Sequence, residues 1–354
     1  MNLLLVARRY PPDVRSGSET VFAALYEQAR QRHATKLVAG FVRDRALIPD
    51  EALGVDLRDR PFGSSHLAMR RATRGAARRQ RPDVLLSNSI EVSAPGWPTV
   101  CIVHDLNFGK AERTGTSRIR ELYYRWRSCR LAAIVTPSDA TREALIGIGV
   151  KPERIHVIHN GVDLSAFTPA PPGDREAELV LAYPGRILPG KGQHVAIDAV
   201  SRLPPELKAR VHLRIVGAVA DARYMDQLKV QAHHQPVSFH PDVDDIVPFY
   251  QQADLVLYPT LMTEGFGFTA VEAMACGVPV AWSDQPAIRE ATGGLGYPVP
   301  MDDPLALRAR IVEALGDREG FARVGEAGRA YVAERYDWAR VWRRYEAVLE
   351  DAAT

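Results

Sequence analysis

Short runs of apolar residues alternate with longer amphipathic stretches along the whole chain, and the alternation comes in two series. The apolar runs predict buried strands, and the stretches between them predict helices such as Glu19–Arg30 and Gln193–Ser201. Buried strands that alternate with helices form parallel sheets with right-handed crossovers. The sequence therefore predicts an α/β protein with two doubly wound, Rossmann-like domains. The predicted strands are Leu3–Ala7, Lys36–Ala39, Val84–Ser87, Thr99–Val103, Ala133–Thr136, His156–Ile158, Leu179–Tyr183, Val211–Val216, Val237–Phe239, Leu255–Tyr258 and Val278–Trp282.

The length of 354 residues fits two domains, because a domain usually has about 100–200 residues. The stretch Thr168–Asp174 is too rich in Pro and Gly to be a helix or a central strand, and it marks the join. We predict an N-terminal domain over residues 1–165, a linker over 166–175 and a C-terminal domain over 176–336. Residues 337–354 predict a terminal helix whose apolar, aromatic face must pack on a domain.

The composition is that of a globular protein, with 46% hydrophobic and 25% charged residues, and it excludes a disordered or fibrous chain. Three cysteines, Cys101, Cys129 and Cys276, are too few and too scattered for a disulfide framework or a zinc site. No apolar run approaches the roughly 20 residues that span a bilayer. The first residues predict a strand rather than a signal peptide. We expect a cytoplasmic protein.

Charge is divided unevenly between the halves. Residues 1–170 have 26 basic and 17 acidic side chains, whereas residues 171–354 have 19 and 26. This difference predicts two bodies with different partners.

The segment Arg58–Arg81 is the most basic part of the first half. We interpret it as a solvated or disordered-leaning surface segment, because it has few apolar residues and Gly75 weakens a helix. The alternative is peripheral contact with an anionic membrane surface or with a phosphate-bearing acceptor. Aromatic residues do not interleave with the arginines, so no nucleic acid partner is expected. Its eight arginines are Arg58, Arg60, Arg70, Arg71, Arg74, Arg78, Arg79 and Arg81.

The segment Leu255–Gly277 carries the strongest chemical pattern. A buried strand is followed by a loop with Gly265 and Gly267, and then by a helix. In open α/β sheets, ligands bind where strands end, and the free N–H groups of a helix N-terminus attract anions there. Glu264 and Glu272 are suited to binding hydroxyl groups on either side of a phosphate. The alternatives are a capping Glu264 and a solvated Glu272.

A second anion-binding pattern, Tyr183–Gly192, follows the first strand of the second domain. Arg186 offers a bidentate fork to phosphate oxygens and Lys191 offers a point charge. The stretch also matches G-x-x-x-x-G-K of the nucleotide P-loop, but Gly192 replaces the Ser or Thr that holds Mg²⁺. This mismatch disfavours a P-loop ATPase without excluding it.

In the first domain, Ser16–Glu19 precedes the predicted helix Thr20–Arg30 and forms another candidate anion site. The alternative is a plain N-cap by Ser18. His104 follows a strand at the same sheet edge, where it is either structural or functional. The chain has no G-x-S-x-G motif, so nucleophilic hydrolysis has no candidate residue.

Asp242–Asp245 resembles the D-x-D metal site of metal-dependent sugar transferases. It directly precedes the predicted helix Ile246–Ala253, where acidic residues cap the helix and complement its dipole. We favour the capping interpretation. No other cluster has metal-ligand spacing, so no metal is expected.

The motifs, in their order along the chain, resemble the retaining glycosyltransferases of glycosyltransferase family 4. EGFGFTAVE, from Glu264 to Glu272, resembles the E-x7-E signature of that family. RPDVLL, TPSDATRE, HNGVD, GRILPGKG, AMACGVPVAWSD and the closing YDWARVWRRYEAVL also resemble it, so the likeness covers essentially the whole chain. The resemblance implies the GT-B fold, in which two Rossmann-like domains face each other across a cleft and the final helix crosses back to the first domain.

Residue by residue, the resemblance implies a nucleotide-sugar donor in the C-terminal domain. Arg186 and Lys191 would bind its diphosphate, and Glu272 would bind the ribose hydroxyls. Glu264 would hold a hydroxyl of the sugar, and His104 would approach the transferred sugar from the first domain. His104 and Glu264 are therefore the candidate catalytic residues.

Backbone groups complete the implied donor site. Gly17 would close over the phosphates from the first domain, and the base would lie near His240–Val243, with Val243 as one contact. The family often has Gly-Gly where this chain has Ser16 and Gly17, and Gly where Pro241 stands, so the base stays open. The sugar and phosphate would be lined by the amides of Gly265, Phe266, Gly267 and Phe268.

The implied reaction transfers a hexose-type sugar, with retention and without metal or cofactor, to a glycan, lipid-linked or natural-product hydroxyl. Cations and a helix dipole would stabilise the leaving diphosphate. No carboxylate has a clear claim to a covalent intermediate, which favours attack from the same face as the leaving phosphate. The alternatives are a nucleotide-sugar epimerase or hydrolase on the same fold, and an inactive nucleotide-sugar-binding protein.

Overall fold

Two units make up the chain in the computed structural model: Met1–Gly161 with Trp338–Thr354 (unit 1), and Val162–Asp337 (unit 2). The structure describes residues 1–12, 17–58, 61–92, 94, 96–105, 115–171 and 178–354, with only the backbone of 62, 63 and 115–120. Ser16, Arg60 and part of the predicted linker lie outside the described residues. Phe167, which the sequence assigns to the linker, packs against the core of unit 2.

Unit 1 has, within its described residues, seven parallel strands in the order β3-β2-β1-β4-β5-β6-β7. Its central strands are buried on both faces, which is why they read as continuous apolar runs. The strands are β1 (Asn2–Ala7), β2 (Ala34–Phe41), β3 (Leu53–Asp56), β4 (Val84–Ser87), β5 (Thr99–Ile102), β6 (Ala133–Thr136) and β7 (Ile155–Val157).

In the described part of unit 1, the α-helices that connect these strands are α1 (Gly17–Arg30), α2 (Phe62–Gln80), α3 (Gly115–Ser128) and α4 (Asp139–Gly147). The connection through α1 runs toward one edge of the sheet, whereas those through α2 and α3 run toward the other edge. Because such crossovers are right-handed, α2 and α3 lie on the same face of the sheet and α1 lies on the opposite face.

The prediction of a disordered-leaning segment at Arg58–Arg81 is wrong, because most of this segment is helix α2, although several of its arginines are exposed. Six side chains at helical spacing along α2 are buried: Ser65, His66, Met69, Thr73, Ala76 and Ala77. Met69 and the two alanines belong to a core cluster with residues of β1, β2 and β4. Packing of small residues outweighs the cost of Gly75, which is why an apolar pattern based on large residues misses this helix.

Unit 2 repeats the architecture with six parallel strands, in its described residues, in the order β10-β9-β8-β11-β12-β13. A single buried cluster runs through both faces of this sheet. The strands are β8 (Leu179–Pro184), β9 (Val211–Gly217), β10 (Val237–Pro241), β11 (Leu255–Tyr258), β12 (Val280–Ser283) and β13 (Tyr297–Val299). The helices are α5 (Gln193–Ser201), α6 (Pro205–Lys208), α7 (Ala222–Gln231), α8 (Val247–Gln251), α9 (Phe268–Ala275), α10 (Pro286–Thr292), α11 (Pro304–Gly316) and α12 (Arg318–Arg335).

The last helix, α13 (Trp338–Ala353), belongs to unit 1, although it follows all of unit 2 in sequence. It packs against α1, β4 and β5. Its buried face consists of Val341, Trp342, Tyr345, Val348 and Leu349. At the exposed side of the contact, Glu346 lies 2.6 Å from His33. Among the described helices of both units, none is long and apolar enough to cross a bilayer.

Candidate functional site

The site in unit 2 lies at the end of β8 and β11, where the order of the strands reverses. These two strands are neighbours, but the chain proceeds from β8 outward to β9 and from β11 outward to β12. The loops that leave the two strands therefore diverge, and ligands of open α/β sheets bind at such a point. Both anion-binding patterns of the sequence, around residues 186–191 and 264–272, follow these two strands.

Lys191 and Glu264 form an ion pair at this edge, with Nζ 2.7 Å from Oε1. Both side chains are only 15% exposed, so water screens the pair less than it screens surface pairs. Thr260 donates a second hydrogen bond to Glu264 Oε1 at 2.8 Å. The hydroxyl of Tyr183 donates to the carbonyl of Lys191, which fixes the backbone that carries the lysine. Glu264 is thus held by side chains rather than acting as a helix cap.

The turn before α5 brings the lysine loop against the end of β11. Gly192 has a φ of +77°, and a Cβ there would collide with the carbonyl oxygen of Pro259. The N–H groups of Leu261 and Met262 both donate to the carbonyl of Gly190 at 2.9 Å. Only glycine satisfies this combination of left-handed backbone and close approach, and the result is that Lys191 lies beside the Glu264 loop.

Glu272 in α9 is paired with Tyr250 of α8, whose fully buried hydroxyl donates to Oε2 at 2.6 Å. Burial of the carboxyl raises the pKa of Glu272 to about 7, and the Tyr250 hydrogen bond and the charge of Lys191 oppose this rise. Glu272 is half-buried and hydrogen-bonded rather than fully solvated. The charge of Lys191 therefore acts on Glu272 as well as on its ion-pair partner Glu264.

The raised pKa predicts that ionisation of Glu272 opposes folding when no ligand is bound. The folded state holds this proton up to about pH 7, whereas an unfolded glutamate loses it near pH 4.3. The stabilising contribution is therefore complete at low pH and is lost as the pH rises through about 7. We expect the Tm of wild type, measured relative to that of Glu272→Gln, to be lower at pH 8 than at pH 5.5. The control Glu326→Gln, at an exposed position of α12, should show no such trend, and equal trends would contradict the assignment.

Helix α9 points its N-terminus at the end of β8. Its first turn is tied there by Thr269, whose hydroxyl donates to the Pro184 carbonyl at 3.2 Å. Gly267 precedes the helix with a φ of +95°, and the ring of Phe266 turns into the core, 5.4 Å from that of Tyr336. Since no side chain caps α9, its first N–H groups are left for a ligand.

No sequence pattern indicates a role for Gln285, a buried residue that fixes the Glu264 loop. Its side-chain oxygen accepts from the Glu264 N–H at 3.1 Å. Its amide nitrogen donates to the carbonyls of Thr260, at 3.2 Å, and Met262, at 2.8 Å. Both the side-chain oxygen and the side-chain nitrogen of Gln285 are therefore hydrogen-bonded to the loop. Gln285 is a positioning residue for Glu264.

Replacing Gln285 with the near-isosteric Met should loosen this loop while keeping the core filled. Loss of three buried hydrogen bonds leaves two carbonyls and one N–H unsatisfied, which costs roughly 1–3 kcal/mol each at most. We expect weaker binding of a ligand that contacts Glu264 and little change for one that contacts only Arg186 and Lys191, as calorimetry can measure. Gln285→Asn keeps an amide donor and acceptor on a shorter side chain and should retain more binding than Met. A uniform loss for both ligands would mean that Gln285 is only structural.

The remaining donor-site candidates are less enclosed. Arg186 is exposed at the end of β8, and its carbonyl accepts from Gln193 Nε2 at 2.8 Å. Val243 is half-buried in the loop after β10. In that loop Asp245 accepts from the Val247 N–H at 2.9 Å, at the start of α8. The predicted roles of Arg186 and Val243 toward a ligand stay predictions.

Unit 1 contains a cavity of about 620 Å³ at the corresponding reversal point between β1 and β4. The N–H of Arg8 donates to Asn88 Oδ1 at 3.1 Å and joins the ends of these two strands. Ser89 donates to Glu91 at 2.6 Å, and His66 lies 3.9 Å from the same carboxylate. Donors and acceptors thus alternate around the wall, an arrangement suited to hydroxyl groups.

His104 lies in the wall of this cavity with Ser18 and Glu19. Burial lowers the pKa of His104 to about 4, so the imidazole is neutral at pH 7. Within the described residues its buried Nε2 has no hydrogen-bond partner. Helix α1 begins at Gly17, so the N-cap interpretation of Ser18 is wrong, and Ser18 instead donates to Glu19 at 2.8 Å. In the part of the chain that is described, no three His, Cys, Asp or Glu residues form a group that could hold a metal ion.

Comparison with known families gives two matches that follow each other along the chain. The family described as "Glycosyltransferase Family 4" matches residues 15–166, and "Glycosyl transferases group 1" matches residues 178–317. Among curated relatives, the D-inositol 3-phosphate glycosyltransferase of Xylanimonas cellulosilytica is 31% identical over 58% of this chain and 54% of its own length. That of Mycobacterium tuberculosis (strain H37Ra) is 34% identical over 51% of this chain and 37% of its own length. The matches therefore span about half, or less, of these relatives.

Solved structures match over nearly the full chain. HepE of Anabaena, in complex with UDP-glucose, has a TM-score of 0.81 at 21% identity, covering 98% of this chain and 99% of that chain. WaaG, a glycosyltransferase involved in lipopolysaccharide biosynthesis, has a TM-score of 0.78 at 16% identity, covering 98% and 99%. At these identities the likeness shows the fold. The predicted architecture, two Rossmann-like domains of the GT-B type, is confirmed, as is the family resemblance of the motifs.

Proposed function

Because this chain belongs to the family 4, or group 1, glycosyltransferases, we propose that it transfers a hexose-type sugar from a nucleotide-diphosphate donor. The donor binds in unit 2, and the acceptor is a hydroxyl of a glycan, a lipid-linked sugar or a small molecule. The reaction proceeds with retention at the anomeric carbon and without a metal ion. The observation that carries the proposal is the Lys191–Glu264 pair beside Glu272 at the reversal point of the sheet.

A nucleotide sugar matches this pair on both sides. Its diphosphate can pair with Lys191, and the hydroxyl groups of its sugar can donate to Glu264. Each partner of the 2.7 Å ion pair therefore gains a ligand contact in place of the one it loses. Glu272 is suited to the ribose hydroxyls, since an ionised carboxylate accepts several hydrogen bonds. A plain anion would satisfy only the lysine and would leave Glu264 repelled. The arrangement therefore favours a diphosphate with hydroxyl groups at both ends.

The leaving diphosphate is stabilised by fixed charges of unit 2. Lys191 is held by its backbone and by Glu264, and the uncapped N-terminus of α9 adds free N–H groups. Such preorganised donors act where negative charge develops. Arg186, at the same strand end, supplies a second cation. These groups provide the charge stabilisation that a divalent metal would provide, and addition of a chelator should leave the rate unchanged.

The acceptor binds in the unit 1 cavity. Its wall combines the carboxylates of Glu19 and Glu91 with the donors of Arg8 and Asn88, which suits a polyhydroxylated molecule better than an apolar one. His104 is neutral there and can exchange one hydrogen bond with a hydroxyl group. The roles of His104 and Gly17 toward the donor remain predictions from the family.

Retention follows by attack from the face that the diphosphate leaves, with the leaving phosphate accepting the acceptor's proton. Both carboxylates of the site already have partners, since Glu264 is paired with Lys191 and Glu272 with Tyr250. Neither is free to form the covalent intermediate of a double displacement. Intact-protein mass spectrometry should detect no glycosyl adduct on any carboxylate, and an adduct would overturn this step.

The proposal is tested with a panel of nucleotide sugars. UDP-glucose comes first, because HepE was solved with it, and inositol phosphates lead the acceptors, because curated relatives are named for one. Calorimetry should find one donor that binds to wild type and binds at least tenfold more weakly to Glu272→Ala. NMR of the product should show a retained anomeric configuration. Turnover of the donor at the full rate without acceptor would indicate the hydrolase or epimerase instead, and no binding of any nucleotide sugar would overturn the proposal.

A further inference from the structure

Helix α3 carries the densest group of exposed apolar side chains in the described part of the chain. Leu122 is 64% exposed, Tyr123 38% and Trp126 52%. They lie at positions i, i+1 and i+4, so they share one face of the helix. None of the other large exposed apolar residues in the described part of the chain is aromatic, and they are Leu53, Leu67, Val230, Met301 and Leu305. We call the three side chains of α3 the aromatic face.

The opposite side of α3 is firmly attached, so the aromatic face is fixed outward. Arg127 is 4% exposed, and it donates to the backbone carbonyls of Ile90, at 3.1 Å, and Glu91, at 3.2 Å. Tyr124 packs against a core cluster and also lines the unit 1 cavity. Rotating the helix to bury Trp126 would break these contacts. The exposure of the aromatic face is therefore built into the helix.

Positive charge lies beside the aromatic face. Arg125 of α3 and Arg130 just after the helix are exposed, and the guanidinium of Arg130 stacks over the Trp126 ring, 3.8 Å from its centroid. Helix α2 lies on the same face of the sheet and exposes a row of arginines. Burial raises the pKa of Tyr123, and the charges of Arg127 and of Arg70 on α2 oppose the rise. The exposed arginines of that row are Arg71, Arg74 and Arg78.

We propose that the aromatic face of α3 and the arginines around it dock unit 1 onto an anionic lipid bilayer. Trp and Tyr favour the level of the lipid headgroups, where an apolar ring and a polar edge are both satisfied. Arginines beside them meet the negative headgroups. The proposal is independent of the transfer reaction. The proposal assigns the membrane contact to α3, and the arginines of α2 add positive charge near it.

A protein partner fits this surface less well. A stable protein interface needs roughly 800 Å² and 20–30 residues on each side, whereas the exposed apolar side chains that are described on α3 are three residues in one helical turn. Insertion into headgroups needs only a few apolar side chains when cations accompany them. Because Tyr124 on the same helix lines the cavity, docking would hold that cavity close to the lipid surface.

Co-sedimentation of the full chain with vesicles tests the proposal. The vesicles contain either equal parts of phosphatidylglycerol and phosphatidylcholine or phosphatidylcholine alone. We expect wild type to bind the anionic vesicles at least tenfold more strongly than the neutral ones, and to lose binding as salt is raised. Leu122→Gln with Trp126→Gln should reduce binding at least tenfold. The matched control is Val230→Gln with Leu305→Gln in unit 2, where the side chains are 78% and 55% exposed.

Each outcome decides the proposal, provided that circular dichroism shows both double variants folded. Failure of wild type to bind anionic vesicles overturns it. Undiminished binding of the α3 variant overturns it as well, and so does an equal loss in the control. If light scattering finds a wild-type dimer that the α3 variant loses, a second copy of the chain covers this face and the proposal is wrong.

Discussion

Lys191→Ala is expected to lower kcat/KM for the nucleotide sugar at least 100-fold. The lysine is 15% exposed and lies 2.7 Å from Glu264, and its charge also acts on Glu272. Its removal takes away a cation that stabilises the leaving diphosphate, and loss of one such preorganised donor costs about 3–4 kcal/mol of transition-state stabilisation. It also leaves Glu264 buried without its counter-charge, which repels the incoming phosphate.

Steady-state kinetics with the donor identified by calorimetry measures this effect. Lys229→Ala is the matched control, because that lysine is 58% exposed and lies 3.8 Å from Asp226 on the surface. Combining Lys191→Ala with Glu264→Gln removes the unpaired charge, so the double variant should lose less than the sum of the two single losses. A reduction below fivefold for Lys191→Ala would place the diphosphate elsewhere.

Trp342→Ala is expected to destabilise unit 1 by about 3–5 kcal/mol, the usual cost of removing a buried aromatic side chain. Trp342 of α13 is fully buried, and its ring centroid lies 6.0 Å from that of His33. Within the described residues its indole N–H has no hydrogen-bond partner. Trp342→Phe should therefore be milder than Trp342→Ala, since it removes volume without removing a hydrogen bond.

Hydrogen exchange of β4 and β5 reports on unit 1 alone, which matters because a chain of two units need not unfold in a single step. The matched control is Trp126→Ala on α3, where the side chain is 52% exposed and its loss should cost well under 1 kcal/mol. Equal effects of the two alanine variants on exchange would contradict the packing of α13 against β4 and β5.

The strands that define the fold could be predicted because burial on both faces makes them continuous apolar runs. Val84–Ser87 and Leu255–Tyr258 were predicted with their observed bounds. The edge strands β3 and β13 were missed, because β3 is only partly buried and β13 is short and contains Pro298. Edge strands need less apolar character, so periodicity finds them less readily.

The sequence predicts which loops form the site, but it does not predict which side chains contact each other there. Glu264 and Lys191 were recognised from their motifs, yet 73 positions separate them, and nothing local indicates that they pair. The same holds for Gln285, whose partners lie 21 to 25 positions earlier, and for Tyr250 beneath Glu272. Such partners depend on how two strand ends meet, which a linear pattern does not encode.

Because α13 belongs to unit 1, synthesis of unit 1 ends only after all of unit 2 has been made. All of unit 2 is made after residue 161 and before residue 338, so unit 2 has its complete set of residues while unit 1 still lacks a helix. Domains usually fold in the order in which they leave the ribosome, but here unit 1 is completed only after unit 2. Until residues 338–354 emerge, the sites on α1, β4 and β5 that receive Trp342 and Leu349 stay uncovered. The half of the chain that is made first is therefore the last to have its apolar surface fully covered.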